Sequence, residues 1–181
     1  VGQASKTVII DPTGDTQLEA NETVVLTLAA GVDYVIGSPL AATATIANDD
    51  AVVSVSVTPN SVDENGTPNL IYTFTRVGLT TSALTVSFTV GGTATFSSDY
   101  SQSGAASFNA TVGSVSFAAG QSTKSVTINP TGNTTAEPDE TVILTVTPAA
   151  NYSVGTANSA IGTILNDDGS LSMLSLIEEL P

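Results

Sequence analysis

The chain has 181 residues, enough for one to two domains, and carries 17 acidic against 3 basic side chains, a formal net charge of −14. That charge repels nucleic acid and anionic membrane, both polyanions, and attracts cations. With no Cys and no His, the chain lacks a disulfide framework, a thiolate or imidazole metal site, and the usual general base.

Residues 1–50 hold enough apolar segments for about three strands. Strands are then expected where apolar and polar residues alternate: Val53–Val57, Ile71–Thr75, Leu84–Val90, Gly113–Phe117, Ser125–Ile128, Thr141–Val146 and Ala160–Leu165. Turn signals separate them at Glu64-Asn65-Gly66, Gly91-Gly92, Ala119-Gly120 and Asn129–Asn133. Glu137–Glu140 could open a helix, but the β-branched run after it favours a strand. The tail Leu171–Ile177 is apolar enough to form one more strand. No apolar run reaches the length of a membrane span, so membrane insertion is not expected. Val1–Lys6 is neither a signal peptide nor preceded by an initiator Met, and the sequence reads as a mature fragment or an interior window of a longer chain.

An internal repeat orders these elements. Gly2–Val8 matches Gly120–Val126, and Pro12-Thr13-Gly14 matches Pro130-Thr131-Gly132. Glu19, Glu22-Thr23-Val24, Tyr34 and Asn48-Asp49-Asp50 match Glu137, Glu140-Thr141-Val142, Tyr152 and Asn166-Asp167-Asp168, at a constant offset of 118 residues. Residues 1–50 are therefore the C-terminal part of one repeat and residues 51–168 a complete one. Residues 169–181 are a tail, either the first strand of a next repeat or an assembly strand. A period of this length suits one β-sandwich per repeat, so the expected fold is all-β, immunoglobulin-like seven-stranded β-sandwich repeats in tandem.

The acidic residues gather at predicted loops: Asp63-Glu64, Asp99, Glu137–Glu140 and Asp167-Asp168, echoed by Asp11, Asp15, Glu19, Glu22, Asp49 and Asp50. Loops leaving alternate strands meet at one end of a sandwich. Several carboxylates there repel one another unless a hard, oxygen-seeking cation relieves them, and calcium suits such loops better than magnesium or zinc. The plainer account is a solvated acidic surface that serves solubility. Tyr34, Tyr72, Tyr100 and Tyr152 read as core or strand-end packing, and Lys6, Arg76 and Lys124 as surface charges. Ser and Thr abound, but no base is present to activate one, and enzymatic activity is not expected.

The sequence resembles the Calx-β domain, found in sodium–calcium exchangers and in many bacterial surface proteins. Ser61–Gly66, Gly92–Thr95 with Ser98-Asp99-Tyr100, Gly113–Gln121, Glu137–Val142 and Ile164–Asp168 carry the resemblance in order. It implies calcium at the pole facing the following domain, with Glu64, Asp99, Glu137, Asp167 and Asp168 as ligands. Asp15, Glu19, Asp49 and Asp50 are their equivalents in the partial repeat. Gly132-Asn133 stands where the family often has Asp-Asp; Asn133 stays a candidate ligand, and affinity in the extracellular range of about 10⁻⁴–10⁻³ M is expected. The expected function is a secreted or cell-surface structural or adhesive array, stiffened by calcium between domains. Its partners would be neighbouring repeats, or identical chains joined head to tail by strand complementation. A regulatory calcium sensor and a carbohydrate- or host-binding module are the alternatives.

Overall fold

The computed structural model describes residues 2–169 and contains thirteen strands and, among the described residues, no helix. The partial repeat supplies β1 (Glu22–Thr27) and β2 (Ala41–Ile46), an antiparallel pair. The complete repeat runs through β3 (Ala51–Thr58), β4 (Ser61–Asp63), β5 (Leu70–Gly78), β6 (Leu84–Gly92), β7 (Tyr100–Ser103) and β8 (Ser107–Phe108). It continues with β9 (Val112–Phe117), β10 (Thr123–Pro130), β11 (Glu140–Val146), β12 (Ser153–Val154) and β13 (Ser159–Leu165). One sheet has the order β12-β3-β5-β10-β7 and the other β4-β13-β11-β6-β9-β8.

Two-residue periodicity builds the core between these sheets. Val53, Val55, Leu70, Tyr72, Phe74, Val126 and Ile128 face inward from the first sheet, and Val86, Phe88, Val115, Phe117, Val142 and Leu144 from the second. Phe74 and Phe88 meet across the interface with ring centroids 5.0 Å apart. Tyr72 crosses it and donates its hydroxyl to the Val142 carbonyl at 2.7 Å, so even this large polar side chain is satisfied inside. All seven expected strands of the complete repeat are present. The four that alternation did not indicate, β4, β7, β8 and β12, are two to four residues long, too short to show a period.

Most pairs are antiparallel, with two exceptions: β4 runs parallel to β13 and β12 parallel to β3. In the first of these, Ser61, Val62 and Asp63 lie opposite Thr163, Ile164 and Leu165. The Thr163 N–H donates to Asn60 at 2.9 Å, and the Glu64 N–H to Leu165 at 3.0 Å.

The partial repeat departs from expectation. It forms two strands rather than about three. Val8–Ile10, equivalent to inward-facing Val126–Ile128 of β10, are exposed coil, because β10 is held between β5 and β7 and residues 2–50 contain no such neighbours. Tyr34 is 55% exposed, whereas its equivalent Tyr152 is 2% exposed. Arg76 is also corrected. It is 3% exposed rather than a surface charge, because it occupies the last inward-facing position of β5 and reaches the Ser82 carbonyl with its guanidinium at 2.8 Å. The strand expected at Leu171–Ile177 lies outside the described residues.

Candidate metal centre

Two acidic poles are built on one scaffold. The near pole belongs to the partial repeat and the far pole to the complete one. The β1–β2 register, Glu22 opposite Ile46 through Thr27 opposite Ala41, is the β11–β13 register of Glu140 opposite Ile164 through Thr145 opposite Ser159, shifted by the repeat. The loops follow suit. At the near pole the Asn48 amide oxygen accepts the Glu19 N–H at 3.0 Å; at the far pole Asn166 accepts the Glu137 N–H at 2.9 Å. Asn48 Nδ2 donates to the Asp50 carbonyl at 3.3 Å, and Asn166 Nδ2 to that of Asp168 at 2.8 Å. The Asp15 carboxylate caps the Gln17 N–H at 2.6 Å, and the Asn133 amide oxygen caps Thr135 at 2.6 Å. These bonds fix where each Asp-Asp pair leaves its strand, so the acids are aimed by the backbone.

At the far pole, carboxylate oxygens of Glu64, Asp167 and Asp168 lie within 4.8 Å of one another. Glu64 follows β4 directly, and the β4–β13 pairing carries it to the Asp167-Asp168 end of β13. It is 7% exposed. Burial raises its pKa above the ordinary 4.5, assisted by the close Asp168 carboxylate and by the charges of Asp167 and Glu137. Glu64 Oε1 and Asp168 Oδ2 are buried and have no hydrogen-bond partner among the described residues. Asn133 Nδ2 bridges Glu64 at 3.2 Å and Glu137 at 3.4 Å.

Asp99 lies to one side of this triad. Its carboxylate accepts the Thr95 N–H at 2.6 Å, and its carbonyl accepts the Thr131 N–H at 2.8 Å. It pairs instead with Glu140, whose pKa is raised by burial first and then by the charge and hydrogen bond of Asp99 and the charge of Glu137. The acids thus form a triad and an adjoining pair, with Glu137 influencing both.

At the near pole Asp15, Glu19, Asp49 and Asp50 line a cavity of about 350 Å³ together with Gly14, Glu22 and Asn48. Partial burial raises the pKa of Asp50, with Asp49 and Asp15 adding to it. This pole abuts the complete repeat. The Asp50 carbonyl accepts the Leu79 N–H at 2.9 Å, and Ser153 donates its hydroxyl to the Thr16 carbonyl. Gly78 sits in the left-handed region at φ +98°, where a Cβ would strike the Asp50 carbonyl.

Three kinds of site residue escaped the sequence reading. Asn48 and Asn166 stood only as parts of a recurring Asn-Asp-Asp triplet, although that recurrence was their signal. The sequence marks Glu140 as acidic but not as a ligand. Asn65 was seen only as a turn former, yet its Nδ2 donates to Asp167 Oδ1 at 2.7 Å and to the Asn133 carbonyl at 3.4 Å.

The donor set is all oxygen, convergent and anionic, with two buried oxygens left without protons to accept. It fits a hard divalent cation of calcium type, which Glu64, Asp167 and Asp168 could hold with Glu137 beside them. It offers nothing to a thiolate- or imidazole-seeking metal. The class so defined is a β-sandwich repeat with a convergent acidic pole. The chain belongs to the Calx-beta domain family, which its residues 1–51 and 47–168 each match; this is a family of calcium-binding modules. Among solved structures, that of CBD12 from CALX1.2 aligns with a TM-score of 0.50 at 20% identity, covering 65% of this chain and 46% of that one. The apo-form Calx CBD1 domain gives 0.49 at 21%, covering 64% and 98%. The calcium binding domain CBD12 of CALX1.1 gives 0.49 at 21%, covering 63% and 44%. The chain therefore spans less than half the length of the first of these structures. No curated protein matches it.

Proposed function

We propose that this protein is a non-enzymatic structural or adhesive repeat protein of the cell surface or extracellular space, in which calcium bound at the inter-repeat poles turns a flexible chain of domains into a stiff rod. One observation carries this reading: the near pole lies at the joint between repeats, where Asp50 is bonded to Leu79 and Thr16 to Ser153. A cation held by Asp15, Glu19, Asp49 and Asp50 would tie the linker to the loops of the preceding repeat and freeze the joint. Weak binding is enough where environmental calcium is millimolar. The natural partners are neighbouring repeats or identical chains, because Val8, Ile10, Leu26 and Leu28, whose equivalents Val126, Ile128, Leu144 and Val146 are buried, are left exposed.

The test is thermal unfolding with calcium titrated from chelator through millimolar, against magnesium. A calcium-specific rise with a millimolar midpoint is expected; at ten times the dissociation constant each site contributes about 1.4 kcal/mol. A micromolar midpoint with a conformational change favours a regulatory sensor, the role suggested by likeness to exchanger calcium-binding domains. Equal curves in calcium and chelator would leave only a solvated acidic surface. Sedimentation of the same samples checks the identical-chain form of assembly, which a monomeric mass with a folded partial repeat would sink.

A further inference from the structure

The poles differ around Gly132, because the turn after β4 that reaches it has no counterpart among residues 2–50. At the near pole Gly14 faces open space: a Cβ built on it would meet nothing within 4 Å. At the far pole a Cβ on the equivalent Gly132 would collide with the side-chain amide of Asn65. Asn65 comes from a different loop, the turn after β4, in which the Gly66 N–H donates to the Asp63 carbonyl at 3.1 Å. Its amide thus fills the position that a side chain at residue 132 would take and sits among the site's carboxylates, with Nδ2 2.7 Å from Asp167 Oδ1.

We propose that Asn65 is an affinity-setting ligand of the far pole, which latches Asp167 through Nδ2 and gives its Oδ1 to the cation by turning its amide. This inference rests on the calcium reading above. An N–H at 2.7 Å from a carboxylate relieves part of the repulsion within the triad, so the pole holds together without a metal. A cation cannot accept that N–H, whereas the amide oxygen is a hard donor of the kind calcium takes. Rotation about the terminal side-chain torsion exchanges the two at small cost. Asn133 does not make this exchange, because its Oδ1 is committed to Thr135 while Nδ2 bridges Glu64 and Glu137.

The experiment uses the whole chain with the near pole silenced by Asp49→Asn and Asp50→Asn, so that any calcium response belongs to the far pole. Asn65→Ala, Asn65→Asp and Gly132→Ala are compared in chelator and in calcium by thermal unfolding and calorimetric titration. Gly37→Ala, at a glycine outside both poles where a Cβ would meet nothing within 4 Å, is the control for the glycine change itself. Asn65→Ala should lower the chelator midpoint by about 5 °C and weaken calcium binding several-fold. Gly132→Ala should reproduce both effects by expelling the amide, while Gly37→Ala changes neither. Asn65→Asp should also lower the chelator midpoint but tighten calcium by about tenfold, since it exchanges a neutral ligand for a charged one. The proposal falls if Asn65→Ala leaves both readouts unchanged, or if it lowers the chelator midpoint without weakening calcium, which would make Asn65 a strut and not a ligand. If the parent shows no calcium response with or without the silencing changes, the calcium reading itself has failed. A response confined to the unsilenced chain overturns only the far-pole ligand.

Discussion

Glu64 shows how one buried carboxylate links acidity to cation binding. Its folded pKa lies above the ordinary 4.5, chiefly through burial. The folded state therefore holds this proton more tightly than the unfolded chain does. The resulting stability is present at low pH and is lost as pH rises from about 4.5 through the raised value. In chelator, stability should thus increase as pH falls from neutral into that window, while calcium binding weakens because the proton competes for the same oxygens. Glu64→Gln should flatten the chelator profile, stabilise the metal-free protein at neutral pH and reduce the calcium response. Urea unfolding at several pH values checks this, and an unaltered pH slope in the variant would refute it. The sequence brought Glu64, Asp167 and Asp168 forward because acids at turns are visible in a chain poor in charge. It marks Asn65 only as a turn former, because which loop fills the space beside Gly132 is decided by strands far apart in sequence.

At the scale of elements, the repeat provides an internal control. Leu26 in β1 and Leu144 in β11 are equivalent residues in hairpins of the same register, yet Leu26 is 45% exposed and Leu144 is 0% exposed. Leu144→Ala should cost about 2–5 kcal/mol, the range for a buried leucine that leaves a cavity. Leu26→Ala should stay within about 1 kcal/mol. Chemical denaturation of the two variants decides, and equal costs would mean that the partial repeat is covered in solution. The same comparison explains what alternation could and could not predict. Val126 and Ile128 form part of β10 while Val8 and Ile10 form no strand, so the pattern marks which side chains would face a core but not whether sheet neighbours exist to receive the backbone. Strands as short as β4 and β12 leave no period to read, although β4 is what delivers Glu64 to the site.

At the scale of the whole molecule, the repeat enters each sandwich at one end, where Ala51 pairs with Gly78, and leaves it at the acidic pole beyond Leu165. A tension applied along a row of such domains therefore acts on β3–β4 and on β13 in opposite senses. Because β4 and β13 are parallel, with Ser61–Asp63 opposite Thr163–Leu165, their hydrogen bonds lie across the pull and must break together instead of opening one after another. Val62, 4% exposed at the centre of this pair, anchors it in the core. Single-molecule stretching from the two ends of the complete repeat should show a higher rupture force than peeling an antiparallel pair apart, and Val62→Ala should lower it. An unchanged force in that variant would place the resistance elsewhere. The short parallel pair that sequence alternation missed thus joins the two ends of the complete repeat in shear geometry: in a tether of such repeats, every link would carry sudden load through bonds that share it.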